Sequence, residues 1–391
     1  MLRRLRITLS LVTAVTGLLG AAAVPAWAAE SITVTWVRHA QSTANADGII
    51  DATVPGPGLT ALGAQQAVAI GAALAPNAYD GIYVSDMIRT QLTAVPLEDL
   101  LGLTQVVIGG VREIAAGILE GLPGTTGPLY AITGLLYTLP AAAWVLGARF
   151  LPTPFGEDGN MFDARVDDAI ATLYASGDTN AVVFSHGATI QAWTLMNVTN
   201  PVLRGPLGNT DVVVVTGNPE DGWTLQSWAG EPVSQTPDLL TKLFVDFRNL
   251  VVAPQTAVYN IGQAFAYANW YTAGTSLTAI AGAITGGIVS VATAAVEFVV
   301  SVIRDIGGAI FPQPGASAPP AATVTAAIQP PAPTAAGVNR LALRADRPDR
   351  TPKPAAAVSE RLSAPGSQDG AGSARHSAAR NADRGRDRTA A

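Results

Sequence analysis

Five residues in four short segments have the types and spacing for chemistry on an anion. Arg38 and His39 stand side by side in "WVRHAQSTAN", Arg89 in "VSDMIRTQLTA", Glu113 in "VREIAAGILEG" and His186 in "VVFSHGATI". Each segment comes just after a run that reads as a strand. If the strands are parallel, their carboxyl ends share one edge of the sheet, and ligands bind there. Two arginines and two histidines at one edge make a pocket for a dianion. The rigid guanidinium fork matches phosphate oxygens bidentately. A neutral imidazole can attack phosphorus, and a carboxylic acid can protonate the leaving oxygen. The expected nucleophile is therefore His39, with Arg38 holding the group it attacks. A histidine after a strand is more often structural, but this chain has three histidines in 391 residues. Two take such positions, and the third, His376, lies in the tail.

The elements that must position these residues follow from periodicity. Ser31–Val37 alternates and is β-rich, and Thr60–Leu74 has helical spacing with Thr60 as a cap. A strand is expected over Asp80–Ser85, a helix over Asp86–Leu101 and a strand over Gln105–Ile108. Met161–Tyr174 reads as a helix, Ala181–Ser185 as a buried strand and Gly187–Met196 as a helix. The strands Asp211–Thr216 and Trp223–Trp228 close the pattern. This alternation predicts an α/β three-layer sandwich with a mostly parallel central sheet. Residues 121–154 break the alternation. They are strongly apolar, with Arg149 as their only charge, and are expected to form a helical cap.

Outside this region the composition changes. Arg3, Arg4 and Arg6, an apolar run and Ala26-Trp27-Ala28 read as a signal peptide over 1–28. The expected main domain is then 30–236, and a helical extension covers 237–310. Within it Asp238–Val252 reads as an amphipathic helix stopped by Pro254, which docks on the domain or lies on a membrane. Thr275–Val296 is uncharged and about as long as a bilayer crossing needs. Membrane association is expected through 275–303. From Phe311 to the C terminus the chain is Pro/Ala-rich and then Arg/Asp/Ser-rich, the composition of a disordered tail.

Composition excludes several functions. There is no cysteine, so thiolate nucleophiles and thiolate metal sites are absent, and an exported chain must rely on its core. Between the signal peptide and residue 336 there are nine basic and 23 acidic residues. Such a body does not attract nucleic acid. Few histidines leave little for a zinc site, and no metal or other cofactor is expected.

Taken together, the motifs resemble the histidine phosphatase superfamily, in its phosphoglycerate mutase-like branch, over about Thr33 to Trp228. "RHAQS" with Asn45, "LTALGAQQA", "VSDMIRTQLTA", "VREIAAGILEG" and "VVFSHGATI" occur in the family's order. The resemblance implies a phosphohistidine on His39. It implies that Arg38, Arg89 and His186 bind the transferring phosphoryl group, and that Glu113 is general acid and then base. Ser42 and Asn45 match positions near the phosphate pocket, although Asn45 also suits a loop turn. Ala40 stands where glycine is commoner.

Three functions remain. The first is an exported phosphomonoesterase, acting on a phosphorylated small molecule or on a lipid-like substrate with an apolar body suited to the cap. The second is a mutase, which needs extra cations over the pocket, where residues 121–154 offer only Arg149. The third is a non-catalytic cell-envelope protein with a degenerate domain. The physiological substrate and the oligomeric state are open.

Overall fold

The structure, a computed structural model, describes residues 31–125, 127–268 and 273–310. The expected signal peptide, the tail and His376 lie outside the described residues. In chain order the elements are β1 (Ile32–Arg38), α1 (Thr43–Asp47), α2 (Ala61–Leu74), β2 (Gly81–Val84), α3 (Ile88–Leu101), β3 (Val106–Val107), α4 (Tyr130–Val145), α5 (Gly159–Ala175), β4 (Asn180–Ser185), α6 (Gly187–Asn197), β5 (Val212–Asn218), β6 (Gly222–Trp228), β7 (Glu231–Pro232), α7 (Leu239–Ala266) and α8 (Ala273–Ile310).

The seven strands form one sheet in the order β3-β2-β4-β1-β5-β6-β7. β3, β2, β4 and β1 run parallel, and β5 to β7 are antiparallel. The expected α/β sheet is thus present as a mixed sheet, with a parallel part of four strands and an antiparallel part from β5 to β7. Alternating strand residues feed two cores, as the two-residue strand period requires. Val34, Trp36, Val183 and Val215 pack with Phe162, Val166 and Trp193 from α5 and α6. Val37, Val84, Phe184 and Val214 pack with Ile70, Leu74, Ala94 and Leu97 from α2 and α3. Helices therefore cover both faces. Trp36, Trp193 and Trp223 form a run of rings with centroids 5.2 and 5.5 Å apart. This buried aromatic area helps to hold a fold that has no disulfide.

The cap is a helix, α4. Its inner side brings Trp144 into the core, and the Trp144 Nε1–H donates to Leu151 O at 2.6 Å. Its outer side leaves Leu129, Ile132, Leu135 and Leu139 more than half exposed. Arg149 is not over the pocket. It is buried, and its guanidinium pairs with Asp163.

Three of the differences from the expected element boundaries have a clear physical cause. α3 starts at Ile88 because Met87 is an extended N-cap residue whose N–H donates to Ser85 Oγ. Pro254 does not stop α7, which runs 28 residues through it. Proline removes one helical hydrogen bond and crowds the preceding turn. Here contacts along both sides of the helix outweigh that cost. Arg248 donates to Leu195 O and Val198 O at 2.8 and 3.1 Å, binding the end of α6. Gln255 Nε2 donates to Gly147 O at 2.7 Å, and Gln255 Oε1 accepts from Phe150 N. The uncharged run 275–296 lies inside a longer helix, because Glu297 is an exposed side chain that need not interrupt it.

Candidate active site

β1 and β4 are neighbours, with Arg38 opposite Ser185. His39 and His186 are therefore each one step past the carboxyl ends of adjacent strands. Their ring centroids lie 5.1 Å apart. Both rings are buried. Arg89, the second residue of α3, reaches between them. Its Nε–H points at His39 Nε2 at 3.2 Å and at His186 Nδ1 at 3.3 Å. The strand order explains this meeting, since β2, which leads into α3, pairs with the other side of β4.

Partner chemistry fixes the tautomers. His39 Nδ1 lies 2.7 Å from Ala40 O, and a carbonyl can only accept, so Nδ1 carries the proton. His39 Nε2 then presents its lone pair. His186 Nδ1 accepts from Arg89, so its Nε2–H donates to Ser85 Oγ at 2.8 Å. Ser85 Oγ–H then donates a hydrogen bond to Thr90 Oγ1, which donates to Met87 O at 2.7 Å. This chain holds the His186 ring in place.

The arginines keep unused donors in the buried centre. Arg38 Nη1 donates to Leu207 O, whereas Arg38 Nε has no hydrogen-bond partner. Arg89 Nη2 donates to Asp51 O at 3.0 Å, whereas Arg89 Nη1 lies 3.9 Å from Asp51 Oδ1, an ion pair, and has no hydrogen-bond partner. Buried N–H groups without partners are costly, and here they suit a bound anion. Glycines make room for both side chains. A Cβ on Gly187 would come within 3.1 Å of Arg38 Nε, and one on Gly56 (φ +67°) within 2.8 Å of Arg89 Nη1.

Glu113 lies at the N terminus of α6. Its Oε1 accepts from Thr189 N and from its own neighbour Ile114 N, each at 3.0 Å. Its Oε2 lies 3.4 Å from Ala188 N. The cap holds the same loop, because Tyr137 Oη–H donates to Ile114 O at 2.8 Å. Burial, with Glu113 and Glu120 nearby, pushes the Tyr137 phenol well above 10, so it stays a donor. A cleft of about 350 Å³ opens beside Glu113, lined by Ala52, Val54, Arg112, Glu157 and Arg165. Both lining cations are paired, Arg112 with Asp86 and Arg165 with Glu157, each at 2.7 Å.

The structure brings His39, His186, Arg38 and Arg89 together, with Glu113 on the adjoining helix end. The structure shows Ser42 and Asn45 bonded to each other. Ser42 Oγ accepts from Asn45 N, and Asn45 Oδ1 accepts from Ser42 N, both at 3.2 Å, a capping box that starts α1. Sequence reasoning missed Asn209, which donates to His39 O at 3.0 Å and to Asn45 Oδ1 at 3.1 Å. It also missed Ser85, Tyr137 and Asp51. Only Ser85 carried a signal, as the residue at a strand end. Among the described residues there is no group of three His, Asp or Glu that could hold a metal ion.

Burial first, then the Arg89 charge, holds both imidazoles well below 6.5. Both are neutral near pH 7, as a nucleophile requires. In the unfolded chain they protonate near 6.5, so each gives stability that is present above that pH and lost as pH falls. The slope is up to about 1.4 kcal/mol per pH unit for each histidine. Asp167 works in the opposite sense, since burial raises its carboxyl to about 7. The expected result is therefore a difference: between about pH 6.5 and 5 the urea midpoint of His39→Ala falls less steeply than that of wild type. Parallel slopes would mean that His39 is protonated in the folded protein.

A family model described as the histidine phosphatase superfamily (branch 1) matches residues 34–230. The PE-PGRS family protein PE_PGRS11 of Mycobacterium tuberculosis is 42% identical over 298 residues, covering 71% of this chain and 48% of that protein. This chain thus spans about half the length of that relative. A Hydrogenobacter thermophilus protein named "Putative phosphoserine phosphatase 2" is 30% identical over 156 residues, 40% of this chain and 73% of that protein. Among solved structures, a mycobacterial glucosyl-3-phosphoglycerate phosphatase is 26% identical with a TM-score of 0.43, covering 51% of this chain and 98% of that one.

Proposed function

The chain belongs to the histidine phosphatase superfamily, and on that premise we propose that it is a phosphomonoesterase working through a phosphohistidine. The observation that carries this reading is the pairing of a neutral His39, its proton fixed on Nδ1, with buried N–H groups of Arg38 and Arg89 that have no hydrogen-bond partner. A phosphate ester entering the pocket would meet those donors with its non-bridging oxygens. His39 Nε2 attacks phosphorus, a P–N bond forms and the P–O bond to the alcohol breaks. Glu113, as general acid, gives a proton to the leaving oxygen. As a carboxylate it then takes a proton from water, whose oxygen attacks the phosphohistidine and releases phosphate. Arg38, Arg89 and His186 stabilise the charge that develops on the equatorial oxygens. Ser42 and Asn45 shape the phosphate loop through their capping box, and Asn45 stands close enough to His39 to share the partner Asn209.

A hydrolase is favoured over a mutase by the state of the cations. A mutase must retain a phosphorylated acid between half-reactions. Arg149 is turned inward on Asp163, and Arg112 and Arg165 are already ion-paired. The test is turnover of p-nitrophenyl phosphate by the full chain. Phosphate release without a bisphosphate primer, in the presence of a chelator, supports the reading. Dependence on a primer supports the mutase, and no release from any ester supports a degenerate domain. Export to the envelope follows the Arg-rich, apolar and A-x-A pattern of residues 1–28. The exposed leucines on the outer side of α4, the helix whose Tyr137 holds the loop after Glu113, support a substrate with an apolar body. Comparing p-nitrophenyl phosphate with a long-chain alkyl phosphate tests that preference.

A further inference from the structure

We infer that α7 and α8 form a hairpin that enters a lipid bilayer tip first and returns to the side that holds the catalytic domain, without crossing. From residue 249 to 296 the sequence has no Asp, Glu, Lys, Arg or His for 48 residues, in a chain that is 13% charged. The two helices are antiparallel: Gly287 lies against Ala257 and Ile261, while Asp246 is within Coulombic reach of Asp305 and Arg304. The charges of the hairpin therefore gather at one end, and the other end has none.

The domain holds α7 at that charged end, through Arg248 on the α6 carbonyls, and two turns further along through Gln255 on Gly147. The uncharged end exposes Phe265, Tyr267 and Leu277 at 50%, 83% and 58%. Ile284 and Ile288 continue the exposed apolar surface along α8. A helix facing water keeps charges on its outer side. A helix facing a protein partner has one apolar face and a polar rim. Here, over residues 249–296, charge is missing from every side of both helices, which is what hydrocarbon demands. The close Gly287–Ala257 approach is also the small-residue contact by which helices associate in lipid.

The antiparallel seam decides the mode of insertion. Residues 274–310 are long and apolar enough to cross a membrane on their own. A crossing would separate α8 from α7 and carry Arg304 and Asp305 through the hydrocarbon. Insertion of the tip keeps the seam and leaves both charged ends outside. The absence of native cysteine allows a direct test with single cysteines in the full chain. Leu277→Cys marks the tip and Gly308→Cys the returning end. The protein is added to sealed phosphatidylcholine/phosphatidylglycerol vesicles and treated with a membrane-impermeant maleimide. The chain is expected to float with the vesicles. Gly308→Cys should label equally with and without detergent, and Leu277→Cys about tenfold more slowly without it, because water is excluded from the bilayer core. Protection of Gly308→Cys until detergent is added would show a crossing and overturn the proposal. Equal labelling of both, or a soluble dimer that ignores vesicles, would overturn it too. The exposed double variant Leu277→Asp/Ile284→Asp should lose flotation while its thermal midpoint in solution stays unchanged. Retained flotation of that variant also overturns the proposal.

Discussion

His39→Ala is expected to lower kcat/KM by at least about a thousandfold, because removing one member of a nucleophilic unit typically removes most of its catalysis. Its loss leaves no other imidazole in place. His186 is the only other histidine in the described residues, and its Nε2–H is committed to Ser85. Wild type quenched within a turnover should carry one phosphate that is stable to base and lost in acid, as a P–N bond requires. The variant should carry none. The fold should survive, since the ring fills a polar pocket between strand ends and not a core cluster. Retention of more than about a tenth of wild-type activity would refute the assignment.

Glu113→Gln is expected to slow alkyl phosphates by about a hundredfold or more and p-nitrophenyl phosphate far less, since general acid catalysis matters most for a poor leaving group. The substitution keeps the volume and one oxygen for Thr189 N. The new amide also places a donor near Ala188 N–H, a contact that now ends on oxygen at 3.4 Å. The measurement is the ratio of the two kcat/KM losses. Equal losses would make Glu113 a positioning residue only. Glu120 is then the next candidate for the acid, although its Oε2 already accepts from Ala52 N at 2.9 Å.

Much of the site was legible because strands and helices announce themselves locally. The alternation of Ser31–Val37 and the apolar run Ala181–Ser185 placed the strand ends, and with them His39 and His186. Thr60 was legible as a cap because its hydroxyl competes for a free N–H of the first helical turn; it accepts from Gly63 N at 2.9 Å. The scarcity of basic residues singled out Arg38 and Arg89.

What the tertiary structure decided depends on contacts between segments far apart in sequence. Glu113 follows β3, two strands away from β4, and reaches the α6 N terminus only through the turn Gly109–Val111, which Ser185 Oγ holds through Val111 O at 2.7 Å. No periodicity encodes that bond. The proton position on His39 depends on where one carbonyl points. Asn209 was hidden because nothing within its own neighbourhood marks it; its partners are 164 and 170 residues away. Arg149 read as a cation over the pocket and proved to be a buried partner of Asp163. α7 passes Pro254 because a proline's cost is local, about 3 kcal/mol, whereas Arg248 and Gln255 hold the helix to the domain on either side of it. Sequence by itself determined the residue types, the local elements and the long uncharged run. Tertiary structure decided which donors stay free, which cations are neutralised and which way the final helix turns back. Those outcomes depend on distances that close only when the layers pack.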